Sequence, residues 1–501
     1  MSAVAFHPAP SLAAAEDTTV SVARAVPGDA GALGVAVGPK GAVPRQLGLD
    51  RATLATLGFE GKLGQTLVVP RKDGPVVVAV GTGEPAEVTP AALRDAAAAF
   101  ARVTAKQERL ATTLADAGSL DAATAAQAVV EGVLLARYRY GALKKDNGSA
   151  TTLAALTLVT GGNRARAATA GATRGVVLAR AAQLARDLAN TPPGHLSATR
   201  LAEIAVEVAA ASGLDVEVYD AADLRAMGCG GLLGVNAGSA EPPRLVKLTY
   251  RPAHPRGHLA LVGKGVMYDS GGISLKPSDP MHAAMKMDMS GAAAVLASMS
   301  TLSALGGTAT VTGYLLCTDN MPSGSAMKLG DVLAIHGGTT VEIHNTDAEG
   351  RLLLADGLAL AVEESPDAIV DIATLTGACM VALGPAVAGV LGNTQALVDR
   401  ISEASATTDE PVWQLPLERT RYRKLLDSDI ADVKNVGGPY GGAITAAVFL
   451  SEFVGETPWA HLDIAGPMKV DADDSWRSKG ATGFGTRLLA EVASTFTPPP
   501  R

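Results

Sequence analysis

TVEIHNTDAEGRLLLADGLALAVEE, residues 340 to 364, changes period in the middle. TVEIHN alternates apolar and polar residues as a strand does, and LLLADGLALAVEE reads as a helix with no proline to interrupt it. Asp347, Glu349 and Arg351 therefore lie on a strand-to-helix connection. Thr346 and Glu349 fit a T-x-x-E capping box, and acidic groups are favoured near a helix N-terminus, so a purely structural role accounts for the acidic pair taken alone.

The same alternation extends on both sides. Strand-like runs at 244–250, 258–263, 308–317, 367–375 and 459–465 are interleaved with helical stretches at 289–304, 350–363 and 441–454. This order predicts an α/β domain with a central, mostly buried mixed sheet flanked by helices. Upstream, short β-branched runs at 33–38, 63–70 and 75–81 precede two alanine-rich stretches, 90–117 and 121–143, of helical composition, and a further strand-like run at 152–160. The small, polar stretch after residue 160 marks a boundary. The expected organisation is a smaller N-terminal α/β accessory domain over 1–170, a linking helix over 171–192 that stops at NTPPG, and a catalytic domain over 193–501.

The chain has 501 residues, with 42 basic and 50 acidic side chains well mixed. No basic stripe calls for nucleic acid or an anionic membrane, so a small or neutral ligand is the more natural partner. Three scattered cysteines, Cys229, Cys317 and Cys379, form neither a disulfide framework nor a zinc ribbon and read as buried apolar residues. The first residues lack a basic leader region, which makes the cytoplasm the expected location. The uncharged window 373–392 is long enough for a membrane helix, but its Gly, Pro and Thr content reads as core and loop.

Open α/β sheets place ligands beyond the carboxyl ends of their strands, and a second charged connection lies at such an end. VGKGVMYDSGGISLKPSDPMHAAMKMDMSGAAAV, residues 262 to 295, carries Lys264, Asp269, Lys276 and Asp288. A helix cap explains Asp288 alone and a tight turn explains the glycines, but neither explains two lysines and two aspartates together. Asp269, Asp288, Asp347 and Glu349 would repel one another unless a cation neutralises them. Oxygen ligands with at most one nitrogen suit a two-metal hydrolytic site, its ions roughly 3.5 to 4 Å apart. The chain has no Walker loop, nucleophile elbow or H-E-x-x-H motif. His344 and His461 read as packed core or supporting groups, and His282 is the histidine best placed to touch a ligand.

These stretches, with RDLANTPPG, NMPSGSAMKLGD, DIATLTGACMVALG, SDIADVKNVGG and WAHLDIAG, resemble in order the leucine (cytosol) aminopeptidases. The resemblance implies that Lys264, Asp269, Asp288, Asp347 and Glu349 hold two divalent ions, zinc or manganese foremost, with magnesium or cobalt as alternatives. Asp269 and Glu349 would bridge both ions, and Lys264 would bind as a neutral amine. It further implies that an activated water attacks the scissile carbonyl, that Lys276 stabilises the oxyanion, and that Arg351 holds a bicarbonate that shuttles the proton. The backbone near Leu375 would meet the substrate, and Met285, Thr374, Gly377, Ala465 and Met468 would line the pocket for the first side chain. The implied activity is removal of leucyl and other aliphatic residues from short peptides by a homohexamer. MHAAMKMD is one residue longer than in typical members. Asp288, directly ahead of the MSGAA helix start, takes the metal role, with Asp279 the only nearby substitute. Two other readings compete: a DNA-binding regulator, since some bacterial relatives bind DNA, and a two-metal phosphoesterase.

Overall fold

The structure, a computed structural model, describes residues 7–14, 18–145 and 151–499. Two compact units emerge: residues 1–183 with 470–480, and residues 184–469 with 481–501. The helix Ala165–Asn190 runs from the first into the second.

The first unit holds a six-stranded sheet in the spatial order Thr19–Ala23, Ala155–Val159, Arg109–Thr112, Ala32–Val37, Val76–Gly81, Thr66–Val69. All neighbours are parallel except the last pair. The alanine-rich stretch 90–117 is not one helix. It is the helix Pro90–Val103, closed where the Thr104 hydroxyl turns back to Phe100 O at 2.7 Å, followed by the strand Arg109–Thr112. A four-residue strand flanked on both sides shows no alternation to distinguish it from helix. Pro90–Val103 packs closely on Ala122–Arg137, because a Cβ at Gly132 would lie 2.3 Å from Arg94 O. Residues Val470–Gly480 return to this unit and bury Trp476 in its core.

The second unit is built on an eight-stranded mixed sheet in the order Val412–Gln414, Ala388–Gly392, Trp459–Asp463, Ala368–Ala373, His258–Asp269, Thr310–Asn320, Arg244–Tyr250, Asp215–Tyr219. The four strands from Trp459–Asp463 to Thr310–Asn320 are parallel, so their carboxyl ends share one edge. Successive residues of His258–Asp269 face opposite helical layers. A Cβ at Gly263 would strike Ala292 Cα at 2.7 Å in the helix Ser290–Met299, while a Cβ at Gly357 in the helix Gly350–Glu363 would lie 2.8 Å from Val262.

The window 373–392 resolves into a strand end, the helix Gly377–Leu383 and the strand Ala388–Gly392. Among the described residues no helix is long and apolar enough to cross a membrane. The run TVEIHN lies outside the main sheet. Only Thr340–Glu342 is strand, between Val332–Ala334 and Val433–Lys434 in a three-stranded satellite.

Candidate metal centre

The strand His258–Asp269 is paired to Ala368–Ala373 only as far as Gly263, opposite Ile372. Lys264 is the next residue and lies beyond that pairing. Gly350 leaves room for its stem, since a Cβ there would lie 2.7 Å from Lys264 Cε. Lys264 Nζ then reaches Glu349 Oε1 at 2.7 Å, Asp288 Oδ2 at 2.8 Å and the carbonyl of Thr374 at 2.9 Å.

Asp269 ends the same strand. Its Oδ1 accepts from Gly271 N at 2.9 Å and from Asn320 Nδ2 at 2.8 Å, which leaves Oδ2 to face Lys276 Nζ at 2.8 Å. Lys276 Nζ also meets Asp347 Oδ1 at 2.5 Å. Gly271 has φ of +86°, and a Cβ there would lie 2.4 Å from Ser274 O and 2.8 Å from Asp347 Oδ1, so this turn requires glycine.

The capping explanations fail. The helix Gly350–Glu363 has no side-chain cap at Glu349, and the Thr346 hydroxyl instead donates to Gly271 O and accepts from Ser274 N. The Asp288 side chain caps no helix N-terminus, because the helix Ser290–Met299 starts from Met289, and its Oδ1 takes the Thr374 hydroxyl at 2.7 Å. Asp279 does cap a helix, Pro280–Ala284, by accepting from His282 N at 2.8 Å.

Burial and close opposite charges compete in the electrostatics. Burial raises the carboxyl groups of Asp288, Glu349 and Asp347 above their usual range, and neighbouring carboxylates add to the shift while the lysines oppose it. For Lys264 burial acts downward, but Asp288, Glu349 and Asp269 outweigh it and hold the ammonium above its ordinary range. Lys276 is raised in the same way by Asp269, Glu349 and Asp347. Carboxylate oxygens of Asp269, Asp347 and Glu349 all lie within 4.8 Å of one another. Three buried acidic groups and the partly exposed Asp347, with two lysine ammoniums as their balancing charges, form a donor set of hard oxygens and one amine nitrogen that fits divalent cations.

Residues 183–490 match the cytosol aminopeptidase family, catalytic domain, and residues 48–147 match that family's N-terminal domain. The chain belongs to the cytosol aminopeptidase family. A probable cytosol aminopeptidase of Streptomyces avermitilis is 45% identical over 497 residues, covering 96% of this chain and 95% of the relative. One from Streptomyces coelicolor is 44% identical over 511 residues, covering 95% and 98%. Among solved structures, a bottromycin maturation enzyme, BotP, in complex with Mn superposes with a TM-score of 0.85 at 40% identity, over 93% of this chain and 99% of that one. Membership makes the chain a peptidase hydrolase, a metal-dependent aminopeptidase.

Around the aminopeptidase centre, Arg351 is buried, donates from an Nη to Asn435 O at 2.8 Å, and has no partner for Nε among the described residues. Burial pulls its pKa down to about 10, so it stays charged at neutral pH. Thr374 touches both Lys264 and Asp288, and Leu375 N donates to Asp463 Oδ1 at 3.2 Å. Met285 and Met468 are buried, Ala465 is partly so, and a Cβ at Gly377 would meet open space. His461 is fully buried, as a core position requires. His344 is not core: it is exposed and its Nε2 lies 2.9 Å from Glu342, because the satellite strand ends before it. His282 stacks on Tyr268 with ring centroids 5.8 Å apart.

Sequence reasoning did not single out Asn320, which ties Asp269 to the carbonyl of Thr346, or Asn435, which accepts from His344 N at 2.9 Å and donates to Asn345 O at 2.7 Å. It also passed over Asp463, buried at a strand end. Each is a polar residue at or just after a strand, the same signal that marked Asp269.

Proposed function

We propose that this aminopeptidase removes amino-terminal leucyl and other aliphatic residues from short peptides in the cytoplasm, using two divalent ions held by Lys264, Asp269, Asp288, Asp347 and Glu349. The observation that carries this reading is the interleaving of two lysine ammoniums among four acidic groups at one sheet edge. Asp269 and Glu349, which both act on Lys264 and on Lys276, would hold the ions together with Asp288, Asp347 and Lys264. When bound, the ions supply Lewis-acid polarisation of a carbonyl and an acidified water, and bicarbonate at Arg351 supplies a base.

The chain's own groups do the remaining work. Once Asp269 and Asp347 serve cations, the Lys276 ammonium is free to donate to the carbonyl oxygen as negative charge develops there. Lys264 would hold an ion as a neutral amine through its nitrogen lone pair, the positive charge of the ions offsetting the carboxylates that otherwise hold its ammonium. Arg351 orients a planar anion through Nε, and its attachment to Asn435 fixes the guanidinium plane. Buried methionines at 285 and 468, with the small residues Gly377 and Ala465, would make a pocket for flexible aliphatic side chains rather than charged ones. Zinc or manganese suits the donor set best, and assembly into a homohexamer completes the reading. A panel of p-nitroanilides tests it. Leucyl and methionyl substrates should be cleaved fastest, aspartyl substrate poorly and N-acetyl-leucyl substrate not at all; equal cleavage of the acetylated compound would remove the exopeptidase reading.

A further inference from the structure

A second buried charge network lies under the substrate turn. Asp371 and His461 are register partners on the parallel strands Ala368–Ala373 and Trp459–Asp463, so their side chains leave one face side by side. His461 Nδ1 lies 2.5 Å from Asp371 Oδ1, and Trp459 Nε1 donates to Asp371 Oδ2 at 2.7 Å. Asp463, two residues after His461, shares that face. Its Oδ1 accepts from Leu375 N at 3.2 Å, Thr376 N at 3.3 Å and Ala465 N at 3.2 Å, and its Oδ2 accepts the Thr376 hydroxyl at 2.6 Å. Thr374, the next residue back, gives its carbonyl to Lys264 and its hydroxyl to Asp288.

We propose that His461 is a positioning residue for the aminopeptidase reaction: as an imidazolium paired with Asp371 it balances the buried acidic charge at this strand end, from which Asp463 fixes the Thr374–Thr376 turn against Lys264 and Asp288. The charged groups that act on His461 are Asp371, Asp463 and Arg351. Asp371 and Asp463 are fully buried, and Arg351, the nearby guanidinium, is shared between Glu349 and Asp463. An uncompensated charge at such depth is costly, and the imidazolium removes it. Burial pulls the ring's pKa down, but Asp371 and Asp463 outweigh it and hold it above the ordinary histidine range. His461 Nε2 is buried with no hydrogen-bond partner among the described residues, so the ring is held by Asp371 at Nδ1 and by stacking on Trp459, ring centroids 6.5 Å apart.

The proposal rests on the metal-site reading for its effect on turnover, but its charge balance is testable without metal. His461→Gln keeps a donor for Asp371 and removes the charge, whereas Asp371→Asn with His461→Gln restores neutrality. In the full chain loaded with Mn2+, the single variant should lose about 10-fold or more in kcat and in Mn2+ affinity by calorimetry, and the double variant should return to within about 3-fold of wild type. Thermal unfolding of metal-free protein should show the same rescue. A wild-type single variant, or a double variant as impaired or as unfolded as the single, would overturn the proposal. Rescue seen only in the metal-free melts, with no Mn2+ dependence in wild type, would overturn the effect on turnover through the metal-site reading and leave the charge balance standing.

Discussion

Lys264 and Asp288 form a buried ion pair, Nζ to Oδ2 at 2.8 Å, and Glu349 Oε1 approaches the same ammonium at 2.7 Å. Removing the ammonium leaves Asp288 and Glu349 out of water without their nearest partner charge. Lys264→Met should therefore destabilise the chelated protein by roughly 3 to 5 kcal/mol. Urea unfolding in chelator measures this, and a variant as stable as wild type would show that the pair carries no net stabilisation.

Lys276 and Asp347 are also paired, but their loss should differ in kind. Lys276→Ala removes a cation from between two carboxylates and should keep bound metal while lowering kcat on the order of 100-fold. Asp347→Ala removes a donor oxygen and should lose metal. Elemental analysis beside steady-state kinetics separates the two, and wild-type turnover in Lys276→Ala would refute its role.

Much of this arrangement is legible in the primary structure because charge is rare in the stretches that carry it. Lys264 and Asp269 stand out in an otherwise apolar strand, and the change of period around Asp347 and Glu349 marks a connection. What defeats sequence reading is pairing between distant segments. Thr346 and Glu349 match a capping box, yet Thr346 spends its hydroxyl on the 271–274 turn. The run TVEIHN alternates like a sheet strand, yet joins a satellite through Val433–Lys434, some ninety residues later in the chain. The strand Arg109–Thr112 is hidden in alanine-rich sequence because its neighbours on both sides, not its own pattern, make it a strand.

Asp356, in the same helix as Arg351, accepts from Leu232 N at 2.7 Å and His336 N at 2.8 Å, but burial dominates and pushes its pKa up to about 7. A raised folded-state pKa means that the folded chain binds more protons than the unfolded chain between about pH 4 and 7. Stability should fall as pH rises through that window, by roughly 4 kcal/mol from this group. Asp356→Asn should flatten the slope. Urea unfolding at several pH values reads it, and parallel slopes in the two proteins would contradict the assignment.

Metal dependence is the most direct test of the account. After exhaustive chelation, hydrolysis of leucyl p-nitroanilide should be abolished, and adding Mn2+ or Zn2+ should restore it as two ions bind per chain, with Asp269→Asn failing to recover. Full activity in protein that elemental analysis shows to be metal-free would contradict it.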